Sequence, residues 1–138
     1  MLGAVLFLAS YLSPAELPAE LAGLEAEGAK WFNEAGKTDA STSERNEARK
    51  KAWINLYKAK EILDAWWDEH PEDQVRIEDR MMNVGKMVFW IRKESPIGVL
   101  EGTGVGPKAS GTVKRDWPDK DKAPPEKPGN VPGGAGPA

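Results

Sequence analysis

The sequence predicts an all-α protein: a small helical bundle, or a tetratricopeptide-like helical hairpin, followed by a disordered Gly/Pro-rich C-terminal tail. Apolar side chains recur every three or four residues between residues 43 and 94, which is typical of amphipathic helices. His70-Pro71 divides this run, because the residue before a proline disfavours helical geometry. Gly and Pro concentrate after residue 97, where no such repeat occurs. We therefore expect a helical domain over residues 16–96 and a tail over 97–138.

Composition excludes several functional classes. The 138-residue chain has a formal net charge of −3 with acidic and basic residues interleaved, which does not favour nucleic acid as a partner. It contains no cysteine, so disulfides, thiolate metal sites and cysteine nucleophiles are excluded. A folded part of about 80 residues buries only a marginal core. Such a core requires closely fitting helix faces or a partner that completes it.

The N-terminal segment, residues 1–15, is apolar and has two interpretations. The run Leu2–Ala9 has the length of a secretory signal region, and Ser13 and Ala15 are the small residues that signal peptidase requires before a cleavage site. It is too short to cross a bilayer. With cleavage after Ala15 the protein is expected to be periplasmic or extracellular. No basic residue precedes Leu2, so either the true start lies upstream or the run is a docking segment. If the run packs as an N-terminal helix, the protein is expected to be cytoplasmic.

The first helix is expected from Pro18 to Ala35, with glutamates near its start where the helix dipole favours negative charge. Gly23 and Gly28 each weaken a helix by about 1 kcal/mol relative to alanine. Neighbouring elements must therefore stabilise it.

The second helix is expected from Ser43 to Glu69, with Ser43 as its N-cap. Charged side chains, among them Lys60 and Asp64, are expected on the solvent side. The apolar face is formed by Ala48, Ala52, Leu56, Ala59, Leu63 and Trp66.

The third helix is expected from Glu72 to Glu94, antiparallel to the second, with Pro71 in its first turn. Ser95-Pro96 ends it. Two apolar rows predict a wide buried face, one of Ile77, Met81, Val84, Val88 and Ile91, and one of Val75, Met82 and Phe89.

The segment from Ala52 to Pro71 resembles the second helix of a tetratricopeptide repeat. It has a small residue at Ala59, large residues at Leu63 and Trp66, and a closing proline. The resemblance implies close helix packing at Ala59 and a turn at Pro71. It covers about twenty residues without the first-helix motif of the repeat, and about three repeats are normally needed to bury a core.

The tryptophans are the candidate binding residues. Trp66 and Trp67 point about 100° apart on a helix, so Trp66 continues the apolar face and Trp67 lies at its border. If the helices have a wide buried face, these tryptophans are part of the core. Alternatively, Trp53, Trp67 and Trp90 form exposed aromatics that contact a partner. Trp117, alone in the tail, is either a linear anchor that orders on binding or part of a linker.

No catalytic or cofactor motif accompanies these helices. His70 with its neighbouring carboxylates does not make a defined metal ligand set. We therefore expect no enzymatic activity, metal or cofactor, and a protein-protein interaction or scaffold module that binds another protein. The alternative is a self-assembling subunit that binds its own copies, with the tail filling gaps. Neither nucleic acid nor a stable membrane span is expected.

Overall fold

The computed structural model describes residues 16–106 and 124–129, and within these ranges it is all-helical. The three expected helices are confirmed as α1 (Glu20–Ala35), α2 (Thr42–Glu69) and α3 (Gln74–Glu94). Two short 3₁₀ turns follow α2 and α3, at Pro71–Asp73 and Glu101–Thr103. The N-terminal segment and Trp117 lie outside the described residues.

The helices form a small bundle with α2 in the middle, packed against both α1 and α3. Short connections make consecutive helices antiparallel. At Gly28 an added Cβ would overlap the buried side chain of Leu56, so α1 and α2 approach closely there. The core is apolar and contains side chains from all three helices, among them Leu21, Phe32, Leu56, Tyr57, Leu63, Ile77, Val84 and Ile91.

One ion pair links the outer helices. The Arg80 guanidinium of α3 donates to both carboxylate oxygens of Glu25 on α1, with Nε 3.1 Å from Oε2. These hydrogen bonds raise the pKa of Arg80 against the opposing effect of partial burial. The pair connects α1 to α3, which are not adjacent in sequence.

The second helix begins earlier than expected, and its N-cap is Ser41 rather than Ser43. The Ser41 hydroxyl accepts a hydrogen bond from the backbone N–H of Glu44 at 3.1 Å, and Ser41 has extended backbone geometry. Glu44 stands three residues after Ser41, which is the spacing of a capping box. Ser43 therefore lies inside the first turn.

Two expectations about side-chain exposure are wrong. Lys60 and Asp64 are buried, at 8% and 1% exposure, because α2 is flanked by helices on two sides and has little solvent face. Val75 is 88% exposed. It is two residues, or about 200°, from the buried Ile77, so it points away from the core. By contrast, Ala59 is fully buried on the predicted apolar face, and Pro71 begins the turn into α3.

Residues 97–106 pack on the bundle instead of belonging to the tail. Leu100 is buried, and the indole N–H of Trp53 donates to the backbone carbonyl of Val105 at 2.7 Å. Gly98 and Gly104 have φ values of 93° and 71°, which glycine adopts without strain. Glycine forms turns in this segment, and packing on the bundle continues past residue 96 to Gly106.

Candidate functional site

Trp53 is not an exposed aromatic. It is 3% exposed, its ring lies 5.2 Å from that of Tyr57, and its N–H binds the carbonyl of Val105. The segment 97–106 covers it, which the α2 periodicity could not show. Trp53 therefore stabilises the packing of this segment on the bundle.

Trp66 and Trp67 lie at the end of the bundle where α2 turns into α3, which we call the closed end (residues 66–76). Trp66 is buried, stacks on the His70 ring at 3.8 Å, and donates its indole N–H to Asp73 Oδ2 at 2.7 Å. Arg76 also donates to Asp73, at 2.5 Å. Trp67 is half-buried at the border of the core, as its sequence position predicts.

Trp90 lies at the opposite end of the bundle, near the C-terminus of α3, which we call the open end. Sixteen residues of helix separate Gln74 from Trp90, so the two ends are about 24 Å apart. The side chain of Gln74 donates to the Trp67 backbone carbonyl. Trp67 and Trp90 therefore do not form one aromatic patch.

Trp90, Lys93 and Glu94 form a mixed aromatic and charged surface that we call the Trp90 surface. Trp90 is half-buried, and its ring meets that of Phe89 edge-to-face at 5.5 Å between centroids. The Lys93 ammonium lies 4.9 Å from the Trp90 centroid, within cation–π range. These contacts orient the indole.

A proline-rich segment, Pro124–Gly129, lies on this surface. The Trp90 indole N–H donates to the carbonyl oxygen of Pro125 at 3.0 Å. The Lys127 ammonium is 2.7 Å from Glu94 Oε2 and 6.0 Å from the Trp90 centroid. The surface therefore engages a backbone carbonyl and a cation at the same time.

The same segment borders a cleft at the open end, where the C-terminal ends of α1 and α3 meet the beginning of α2. The cleft is lined by both apolar and charged residues. Its lining comprises Phe32, Asn33, Ala35, Gly36, Lys37, Thr38, Asp39, Arg49, Ile91, Glu94, Lys127, Pro128 and Gly129. Glu94 belongs to both the cleft and the Trp90 surface, so the two are continuous.

Sequence reasoning identified Trp90 but missed Glu94 and the segment that lies on Trp90. The available signal was the proline spacing within residues 124–128, because repeated prolines favour an extended polyproline II conformation. Its position inside a Gly/Pro-rich region concealed it. The groups brought together here are suited to binding: a fixed indole donor, an aromatic face and a carboxylate.

Comparisons with known proteins give no match: no family model, curated protein or solved structure is significantly similar to this chain. Within residues 16–106 and 124–129, no helix combines the length and apolarity that crossing a membrane requires.

Proposed function

We propose that this protein is a non-enzymatic interaction module that binds another polypeptide through the open end of its helical bundle. The observation that carries the proposal is the hydrogen bond from the Trp90 indole to the Pro125 carbonyl, together with the Lys127–Glu94 pair. The bundle thus presents an indole donor and a carboxylate to a segment that is not part of its helical core.

The chemistry of the surface supports binding. Tryptophan is over-represented among interface residues that dominate affinity, since it combines a large apolar area with a hydrogen-bond donor. Lys93 and Glu94 lie about one helical turn after Trp90 and supply both signs of charge. Trp67 is also half-buried, but it is a border residue of the closed end, whose polar groups bind one another. We therefore place the main contact at Trp90.

Co-purification from the native host tests the proposal. Trp90→Ala is expected to remove most of the partner from the recovered complex, because it deletes both the ring and its donor. Val75→Ala, at an exposed apolar position on the same helix, is the matched control and should leave recovery unchanged. Trp67→Ala and Trp117→Ala test the two other predicted contact residues. Unchanged recovery with Trp90→Ala, in a variant that still shows helical circular dichroism, would contradict the proposal.

A self-assembling subunit is the second candidate. One observation favours it: Pro124–Gly129 of a second copy carries the groups that the Trp90 surface binds. Light scattering on purified protein separates the candidates. A monomer at every concentration would dismiss self-assembly, whereas a defined oligomer without other chains would support it.

A further inference from the structure

We infer that the Trp90 surface is a binding site for extended proline-rich peptides, and that Pro124–Gly129 is an internal ligand that a partner peptide must displace. The inference rests on the proposed function and deepens it, since it names the chemistry of the partner and a means of regulating access. Three features of the segment support it: its burial pattern, its backbone restriction and its charge.

The two half-buried residues of the segment are three positions apart. Pro125 and Pro128 are half-buried, whereas Pro124, Glu126, Lys127 and Gly129 are exposed. A polyproline II helix has three residues per turn, so residues three apart lie on the same edge. Pro125 meets Trp90, and Pro128 lines the cleft beside α1. One edge of the segment therefore faces the bundle, as in known modes of proline-rich recognition.

The backbone of the segment is restricted before it binds. Each proline fixes φ at about −65°. Pro124 and Lys127 each precede a proline and are therefore confined to extended geometry. A ligand that is already extended loses little conformational entropy on binding. This explains how a segment with few contacts occupies the site.

Lys127 gives the site a charge preference. Its ammonium pairs with Glu94, the last residue of α3. The C-terminal end of a helix carries partial negative charge that adds to the carboxylate. A peptide with lysine directly before the second contacting proline, in the pattern Pro-x-Lys-Pro, fits these groups. A peptide with an acidic residue there is disfavoured.

The internal ligand is connected to the bundle by residues 107–123. Because the ligand and the surface belong to one chain, their association is intramolecular and is described by an effective concentration. A free proline-rich peptide must compete with that concentration. Weakening the segment should therefore increase the apparent affinity for a free peptide without any change to the Trp90 surface.

Nitrogen-15 NMR of the full chain tests this inference, with Trp90→Phe identifying the Trp90 indole cross-peak. A Pro125→Gly/Lys127→Glu variant disables the internal ligand. We expect its Trp90 cross-peak to move from the wild-type position and to return when a synthetic peptide of residues 123–130 is added. In a separate titration of a fluorescently labelled copy of this peptide, followed by anisotropy, half-saturation should need at least about tenfold less of the variant protein than of the wild type, because the tethered competitor is gone.

Charge reversal provides the specificity control. The peptide carrying Lys127→Glu should not restore the cross-peak in the Pro125→Gly/Lys127→Glu variant. It should shift the cross-peak once Glu94→Lys is introduced into a chain that carries Pro125→Gly/Lys127→Ala, whose own segment has no matching charge. If both peptides bind equally well, whether or not Glu94→Lys is present, the Lys127–Glu94 pair does not select the ligand.

Two results would overturn the inference. A Trp90 cross-peak at the same position in the wild type and the Pro125→Gly/Lys127→Glu variant would show that the segment does not occupy the surface. A concentration-dependent dimer that Lys127→Glu dissolves would place the segment on a second copy instead. If partner recovery still depends on Trp90 when either result is found, the proposed function stands. Failure of this inference is therefore distinguishable from failure of the proposed function.

Discussion

The two ends of the bundle use the same chemical group in opposite ways. At the closed end the indole N–H of Trp66 binds Asp73, seven residues away in the adjoining turn. At the open end the indole N–H of Trp90 binds Pro125, thirty-five residues away. The first bond is local and formed within the helical hairpin. The second depends on a segment outside the helices.

This difference distinguishes an indole donor that belongs to the scaffold from one whose partner can be exchanged. A donor satisfied by its own turn cannot change partner without opening the hairpin, because a buried donor left unpaired costs about 1–3 kcal/mol. A donor satisfied by a separate segment can exchange that segment for another with the same chemistry. The closed end therefore contributes mainly to stability, and we propose that the open end serves recognition.

The largest expected effect is a difference in stability between two tryptophan substitutions. Trp66→Ala should lower the free energy of unfolding by about 3–5 kcal/mol, because it leaves a cavity in the core and removes the indole hydrogen bond to Asp73. Trp90→Ala, at a half-buried position, should lower it by only about 1 kcal/mol. Urea denaturation followed by circular dichroism measures both. Equal losses would contradict the division of roles between the two ends.

A smaller effect is expected where α1 and α2 approach most closely. Gly28→Ala places a methyl group against Leu56, and the overpacking should exceed the helix-propensity gain by about 1 kcal/mol. Gly23→Ala is the matched control, since an added Cβ there has no neighbour within 4 Å. It should stabilise the protein by about 0.5–1 kcal/mol. Stabilisation by both substitutions would show that α1 can shift to admit the methyl group.

Acid should weaken the closed end through Asp73. Its pKa is lowered first by the hydrogen bond from Arg76 and further by that from Trp66. A carboxylate whose pKa is lower in the folded state contributes stability that is complete above its unfolded pKa of about 3.9. This contribution is lost as the pH falls through the lower, folded pKa. Asp73→Asn should therefore cost about 1 kcal/mol at neutral pH, because a charged acceptor becomes neutral.

Urea unfolding between pH 6 and pH 2 checks this expectation. The difference between wild type and Asp73→Asn should shrink as the pH falls below about 4. Asp79→Asn, at an exposed position of α3, controls for the removal of one negative charge. A difference that stays constant across the range would mean that the charge of Asp73 does not stabilise the fold.

The smallest effect is expected for the pair that joins α1 to α3. Glu25→Gln should lower the free energy of unfolding by about 0.5 kcal/mol, since partly exposed ion pairs contribute little. The loss should diminish in high salt. A loss above about 2 kcal/mol would show that the Glu25–Arg80 pair is a main determinant of how the bundle closes.

The helices could be predicted from the sequence because each carries a local signal. The apolar repeat in α2 and α3 and the proline at the turn locate them within two residues. Trp66 and Trp67 were placed correctly by their angular positions. These features depend only on residues within a few turns of one another.

The features that could not be predicted depend on contacts distant in sequence. Trp53 is covered by Val105, and Asp64 is buried because α2 has neighbours on two sides. Trp90 was a candidate, but its ligand comes from a region whose composition resembles a linker. No periodicity within one helix reports such contacts. Of the Trp90 surface, only Trp90 was therefore identified from the sequence, and the occupant of the surface was not.

Hydrogen exchange of the two indole N–H groups tests the central claim most directly. The account predicts that Trp66 exchanges only when the whole domain unfolds, whereas Trp90 exchanges much faster, through local release of Pro124–Gly129. Lys127→Glu should accelerate the Trp90 exchange and leave Trp66 unchanged. Equal protection of the two groups, both tracking global unfolding, would contradict the claim that the open end carries an exchangeable ligand.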